Sequence, residues 1–484
     1  MMRPWWQPTA TAAALALLCV SCADSPDSSK TAEQAEPFAS QYQPLPSTPT
    51  LIKNATLLLG NGERIDNGQL LLVDGKINAV GTNVDAPENA TVIDASGKWV
   101  TPGIIDAHSH LGVYPSPGIE SSEDGNEMVN PDTAYAWAEH AIWPQDPQFP
   151  LALAGGVTTL HVLPGSANLF GGRSVTIKNV PARSVMEMKF PDAPHGLKMA
   201  CGENPKRVYG DKGGPMTRMG NVAGYRKSWI EAQRYRNEWK KYQDVLAAAD
   251  GDELAVIDKK PERDLRLDTL AAVLDGKILI QNHCYRAEEM AIMIEIAKEF
   301  DFEISMFHHA VEAYKVADLL AENQICAAMW ADWWGFKHEA YDMIFENIPF
   351  VDKASVTKTV DGEPVELKGC AVVHSDSALG IQRLNQEAAK AMAAGNRAGL
   401  NIDEAHAMRW LTENPAKAIG IDDKVGTLTV GKNADVVIWD RNPFSVYAHA
   451  DKVFIDGALM YDRFDAAKQP KTDFDLGLTA GGMR

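Results

Sequence analysis

Short runs in which apolar and polar residues alternate, each closed by a turn signal, fill residues 51–100. Ala55-Thr56-Leu57-Leu58-Leu59 precedes Asn61-Gly62, and Gln69-Leu70-Leu71-Leu72-Val73 precedes Asp74-Gly75, after which Lys76-Ile77-Asn78-Ala79-Val80 resumes the pattern. Side chains alternate faces along a strand, and Asn-Gly or Asp-Gly supplies the left-handed backbone of a tight hairpin, so a small antiparallel β unit is predicted. The same pattern returns at 426–428, 434–439 and 453–457. The two halves, 49–101 and 418–475, are expected to pair into one composite β-sandwich.

Between them the period changes. Apolar strand-like runs at 104–108, 157–162, 175–178, 197–201, 278–283, 302–309, 325–329 and 370–374 alternate with stretches of helical spacing, notably 222–249, 287–300 and 386–394. Strands alternating with helices signal a parallel α/β fold, and eight runs are what a closed (β/α)8 TIM barrel requires, here over 102–417. No internal repeat is visible.

Composition narrows the function classes. At 484 residues the chain can bury a large core beside a smaller module, and a net charge of -19 argues against nucleic acid or anionic lipid surfaces as partners. Residues 1–22 read as an export signal: Arg3 gives a short basic start, and the apolar run at 10–20 is too short to span a bilayer. Its end, Leu18-Cys19-Val20-Ser21-Cys22, resembles a bacterial lipoprotein box with Cys22 as the lipidated first residue of the mature chain, simple secretion being the alternative. The expected location is the periplasm or a membrane, with attachment only through that lipid. Residues 23–48, rich in Ser, Pro, Gln, Glu and Ala, read as a flexible tether. Cys201, Cys284, Cys326 and Cys370 sit in or beside apolar runs and read as free, buried small hydrophobes, with no pairing deducible from their spacing.

Candidate chemistry gathers at the ends of the predicted barrel strands, where the site of such a fold lies. The first run closes with His108 and His110, which share one face of a strand because they are two residues apart. The fifth run closes with His283, the sixth with His308 and His309, and the eighth leads through His374-Ser375 to Asp376. Imidazole nitrogen and carboxylate oxygen hold Zn²⁺ or a similar ion while leaving a position for water. One such histidine is ordinary in a core; several at one rim point to a metal centre.

At this point the chain resembles the amidohydrolase superfamily of metal-dependent hydrolases over nearly all of its mature length. Thr101-Pro102-Gly103-Ile104-Ile105-Asp106-Ala107-His108-Ser109-His110 looks like the first-strand signature, and Gly156-Val157-Thr158-Thr159 like the second strand. His283-Cys284-Tyr285-Arg286 and His309-Ala310-Val311-Glu312 look like the fifth- and sixth-strand histidines, and Ser375-Asp376-Ser377 like the eighth-strand aspartate. Asn414-Pro415-Ala416-Lys417-Ala418-Ile419-Gly420, leading to Gly431-Lys432-Asn433-Ala434-Asp435, resembles the return into the β-sandwich. The nearest resemblance is to the imidazolonepropionase-like and prolidase-like branch, in an exported subgroup. Two-metal members place a bridging carboxylated lysine or a glutamate near the third or fourth strand, and Lys198-Met199-Ala200-Cys201-Gly202-Glu203-Asn204-Pro205-Lys206 offers both types. Glu203 is preferred because Gly202 before it and Asn204-Pro205 after it place it at the loop end of the run; Lys198, packed or carboxylated, and Lys206 stay as alternatives.

The resemblance and the residue types together imply a metal-dependent hydrolase of amide-type C–N bonds. The expected metal ligands are His108, His110, Glu203, His283, His309 and Asp376, with one or two ions per chain. Zinc follows from ligand type, and manganese, iron or cobalt also suits. Asp376 is the expected proton shuttle, and His309 binds the substrate carbonyl if one metal is present, with His308 the alternative at that strand end. His374 and Asp106 are expected to give support or packing. Phe170-Gly171-Gly172-Arg173 reads as a tight turn rather than an anion cradle. Trp330-Ala331-Asp332-Trp333-Trp334-Gly335-Phe336 reads equally as a substrate wall and as loop packing. Tyr285, Arg286, Arg218 and Arg226 read as groups for a substrate carboxylate or as ordinary surface residues, the arginines in ion pairs. The substrate is a small-molecule amide, a dipeptide being the prolidase-like alternative. A second alternative is a non-catalytic surface binding protein on the same fold, and assembly with further copies of the chain stays open.

Overall fold

The computed structural model describes residues 37–360 and 362–470. The export signal, most of the tether and the last residues of the C-terminal β segment therefore lie outside the described residues. Five strands open the chain: β1 (Thr50–Leu58), β2 (Arg64–Val73), β3 (Lys76–Gly81), β4 (Thr91–Asp94) and β5 (Trp99–Pro102). The next ten are β6 (Ile104–Ser109), β7 (Val157–Val162), β8 (Phe170–Lys178), β9 (Gly196–Ala200), β10 (Leu279–Cys284), β11 (Ile304–His309), β12 (Cys326–Met329), the hairpin β13 (Ser355–Val360) and β14 (Glu363–Lys368), and β15 (Cys370–Val373). Three more, β16 (Val436–Trp439), β17 (Ala450–Ile455) and β18 (Ala458–Asp462), close the fold. The helices are α1 (Gln148–Ala154), α2 (Glu203–Tyr209), α3 (Arg218–Ala248), α4 (Leu265–Leu274), α5 (Ala287–Phe300), α6 (Ala317–Glu322), α7 (Asn347–Lys353), α8 (Leu384–Arg397), α9 (Glu404–Met408) and α10 (Glu413–Ala418).

The terminal strands meet in one sheet ordered β18-β17-β16-β5-β1-β2-β3, with β4 also on β1. The join is the antiparallel pair β5–β16, which sets Val100 opposite Ile438. Alternation along β16 explains how this sheet attaches to the barrel. Val436 and Ile438 pack with Ile52, Leu57, Leu70 and Phe454, whereas Val437 and Trp439 belong to the main core with Val157 and Leu160. Both faces of β16 are thus buried, and its continuous apolar run follows from that.

The barrel strands run in the order β6-β7-β8-β9-β10-β11-β12-β15, one for each run expected from the sequence. One strand departs from the parallel expectation: β8 is antiparallel to both β7 and β9. Only residues 163–169 separate β7 from β8. A parallel crossover takes a dozen residues or more, so the chain turns back on itself here. Phe170-Gly171-Gly172-Arg173, expected as a tight turn, is instead the first part of β8. Its Gly172 is at φ 115°, and a Cβ there would lie 2.3 Å from the Ala136 carbonyl oxygen, so glycine permits this close approach.

No ladder joins β6 to β15 among the described residues, and the barrel closes there through side chains. Buried Asp106 accepts hydrogen bonds from the Ser375 backbone N–H at 3.1 Å, from the Ser375 hydroxyl and from the His108 N–H at 3.2 Å. The Asp376 N–H adds a bond to the His108 carbonyl at 3.1 Å. Asp106 is therefore the clasp of the barrel, the supporting role expected of it.

The cysteine reading needs correction. Cys201 is bonded to Cys284 and Cys326 to Cys370, with Cα separations of 5.2 and 4.5 Å. Cys326 stands directly opposite Cys370 in the β12–β15 register. Which cysteines face one another is decided by strand register, and sequence separations of 83 and 44 residues carry no trace of it. No helix among the described residues is long and apolar enough to cross a membrane.

Candidate metal centre

The C-terminal ends of five barrel strands converge on one point. β6 brings His108 and His110, β9 brings Lys198, β10 brings His283 one residue before its end, β11 ends at His309, and the chain leaving β15 brings His374 and Asp376. Backbone in the left-handed region gathers here: His309, Ala310 and Asp376 have φ of 69°, 37° and 50°. Non-glycine residues pay strain in that region, and it persists where the surrounding structure enforces it.

The reactive atoms lie within bonding range of a shared centre. His108 Nε2 is 3.2 Å from His110 Nε2, 3.3 Å from Lys198 Nζ and 3.5 Å from Asp376 Oδ1. His110 Nε2 is 3.2 Å from Asp376 Oδ1, while His309 Nδ1 is 3.7 Å from Asp376 Oδ2 and 3.0 Å from His374 Nε2. Two sets of donors can each hold an ion, His108–His110–Asp376 and His108–His309–His374. The Leu163 carbonyl accepts from His110 Nδ1 at 2.8 Å, so the lone pair of that ring lies on Nε2, the atom aimed at Asp376.

The electrostatics suit a cation. Burial drives the imidazoles of His108, His283, His308 and His309 well below their ordinary range and that of His374 to about 4, so the rings are neutral donors. Both ring nitrogens of His283 and Nδ1 of His374 are buried without a hydrogen-bond partner. Burial lowers the Lys198 ammonium to about 7, against the pull of Asp376. Unpartnered nitrogens are costly in a core. Here they belong to a group of neutral rings around a carboxylate, a donor set that fits a divalent ion.

Of the expected residues, the structure brings together His108, His110, His309 and Asp376. His283 borders them, its ring centroid 4.6 Å from that of His309. Glu203, expected as the bridging ligand, belongs to neither donor set. It opens α2 with its backbone N–H on Glu339 at 2.8 Å, and its carboxylate faces Lys337 at 3.8 Å. Gly202, φ 82°, leads the chain from β9 into α2. Lys198, the alternative to Glu203, is fully buried within β9 with its Nζ against His108. His374, expected as support, joins one donor set; its spacing of two residues from Asp376 was the signal, the same as that of His108 from His110.

Aromatic residues wall one side. The His309 ring adjoins both Tyr285 and Trp330, with centroids at 5.3 and 4.5 Å, and those two rings are 6.3 Å from each other. Trp333 follows 4.8 Å beyond Trp330, and Trp333 and Phe336 are 43% and 49% exposed. Lys337 lies over the Tyr285 ring and pairs with Glu339 at 2.9 Å. Arg218 and Arg286 both pair with Glu288, and Arg226 with Glu299, in surface ion pairs.

Comparison with known proteins agrees with this geometry. The model of the amidohydrolase family matches residues 271–460. An amidohydrolase of Thermotoga maritima of solved structure is 33% identical, with a TM-score of 0.73, covering 86% of this chain and 100% of that one. The amidohydrolase tasK of Hapsidospora irregularis is 32% identical over 448 residues, 86% of this chain and 43% of the relative. A 5-methylthioadenosine/S-adenosylhomocysteine deaminase of Bacillus cereus is 35% identical over 118 residues, 24% of this chain and 25% of the relative. The chain spans less than half the length of either curated relative.

Proposed function

The chain belongs to the amidohydrolase family, and from that membership we propose that it is a metal-dependent hydrolase of amide-type C–N bonds in small molecules. The observation that carries the reading is the gathering of His108, His110, His309, His374 and Asp376 in two overlapping donor sets that share His108, with Lys198 against His108. These residues would hold one or two divalent ions, with zinc first by ligand type, and His283 and a carboxylated Lys198 would complete the set. When bound, such an ion acidifies water and polarises a carbonyl.

The protein's own groups do the rest. Asp376 is an acidic side chain of the cluster with solvent access, its side chain 22% exposed. Its carboxylate takes the proton of the attacking water and returns it to the departing nitrogen. The rings of Tyr285 and Trp330 pack against His309 and steady its orientation. Trp333 and Phe336 offer flat apolar surface to a substrate. A carboxylate-ended dipeptide has weaker support, because Arg218, Arg226 and Arg286 already carry glutamate partners and Lys337 is paired with Glu339. Neutral cyclic or aryl amides therefore lead, and the prolidase-like reading follows.

We further propose that the protein works outside the cytoplasm. The apolar N-terminal pattern supports this, as do two disulfides, which persist in oxidising compartments. The deciding experiment measures metal content and turnover of lactams, imidazolones, aryl amides and Xaa-Pro dipeptides by the wild type and by D376N. The expected outcome is metal in both, and turnover of a cyclic or aryl amide that falls at least about 100-fold in D376N. A metal-loaded wild type inert across the panel would favour the non-catalytic binding protein, and near-normal turnover by D376N would remove Asp376 as shuttle.

A further inference from the structure

His110 receives its tautomer from a backbone carbonyl, but no carbonyl reaches His108. Its Nδ1 instead meets Nδ1 of His308 at 2.8 Å, deep in the barrel. His308 Nε2 meets Gln281 Oε1 at 2.8 Å, and Gln281 Nε2 donates to the Ala418 carbonyl, at the end of α10, at 3.3 Å. All three side chains are fully buried.

Each link leaves one arrangement of protons. A carbonyl only accepts, so the amide nitrogen of Gln281 faces Ala418 and its oxygen faces His308. That oxygen also only accepts, so His308 carries its proton on Nε2 and keeps a lone pair on Nδ1. The contact at 2.8 Å between the two Nδ1 atoms then needs its proton from His108. Nε2 of His108 is left bare, and it is the atom that faces His110, Lys198 and Asp376.

We propose that Gln281 and His308 are positioning residues which, anchored on the Ala418 carbonyl, fix His108 in the tautomer that presents Nε2 to the metal centre. The inference rests on the metal-centre reading for its purpose, but the relay stands on its own contacts. It also accounts for two adjacent histidines closing β11: His309 faces the site, and His308 serves the ligand on β6. Outer partners of this kind orient a ligand ring and raise its basicity, and their loss costs about 10- to 100-fold in metal affinity.

The test begins with wild-type protein labelled with ¹⁵N-histidine, read by two-bond ¹H–¹⁵N correlation with and without Zn²⁺ and assigned by comparison with H308N. The relay requires His308 as the Nε2–H tautomer and His108 protonated on Nδ1. Q281M removes the acceptor at similar volume, whereas Q281E, protonated in this buried setting, keeps an oxygen towards His308 and an O–H towards the Ala418 carbonyl. By chelator competition Q281M should bind Zn²⁺ at least about tenfold more weakly, with an altered visible band in the Co²⁺-loaded protein, and Q281E should stay within about threefold of wild type. His308 protonated on Nδ1, or Q281M with wild-type affinity and an unchanged Co²⁺ band, would overturn the proposal, as would equal losses in folded Q281M and Q281E. Should Q281M not fold, the wild-type spectrum decides. A wild type that takes up no metal would sink the metal-centre reading instead, and the tautomers in that same protein would still judge the relay.

Discussion

Asp106 lies just below the site, and its replacement separates geometry from charge. The carboxylate satisfies three donors at the seam between the first and last barrel strands: the N–H groups of His108 and Ser375 and the Ser375 hydroxyl. In D106A the two N–H groups lose their partner in a fully buried setting, while the Ser375 hydroxyl can still turn to the His108 carbonyl. At about 1–2 kcal/mol each, allowing for a water in the space left, the loss is roughly 2–4 kcal/mol. In D106N the remaining oxygen still accepts from both N–H groups. The new amide donates to the Ser375 hydroxyl, which turns its own proton to the His108 carbonyl 3.3 Å away. Burial pushes the Asp106 carboxyl up to about 7, so a neutral amide is a close substitute and the cost should be about 1 kcal/mol. Urea unfolding at neutral pH measures both values, with metal content and turnover alongside. D106A should also lose metal and activity, since the clasp holds His108 and Asp376 at the seam. The reasoning fails if D106A is within about 1 kcal/mol of wild type, or if D106N is as unstable as D106A.

Three further outcomes follow from particular contacts. K198M should lose at least half of the bound metal by elemental analysis while E203Q keeps it, and the opposite pattern would restore Glu203 as the bridge. Cys326→Ala with Cys370→Ala should lower stability by about 4 kcal/mol from loop entropy, and four titratable thiols in the unreduced, denatured wild-type protein lacking residues 1–22 would refute both disulfides. His161, hydrogen-bonded within the barrel to Ser174 and Thr176, is held by burial at about 3 against an ordinary value near 6.5. The unfolded chain gains a proton first, so this stability is complete above about pH 6.5 and drains away as pH falls toward 3, roughly 3 kcal/mol by pH 4. H161Q should therefore lose less stability than wild type between pH 7 and 4, and parallel curves would refute the assignment.

Hydrophobic periodicity by itself determined the eight barrel strands, the split β unit and the rim where ligands gather, because these depend on which faces must leave water. His108 and His110 were legible because a strand fixes the direction of residues two apart. Other features depend on which groups meet across strands, and that is a matter of register and chain direction. The antiparallel course of β8, the pairing of Cys201 with Cys284 and of Cys326 with Cys370, the contact of Lys198 with His108 and the place of His374 in a donor set all belong here. Glu203 and Lys198 lie close in sequence, yet Glu203 opens α2 beside Glu339 and Lys337 while Lys198, within β9, meets His108. The link from Ala418 through Gln281 and His308 to His108 spans four separate segments, and only the closed barrel brings them within hydrogen-bonding distance.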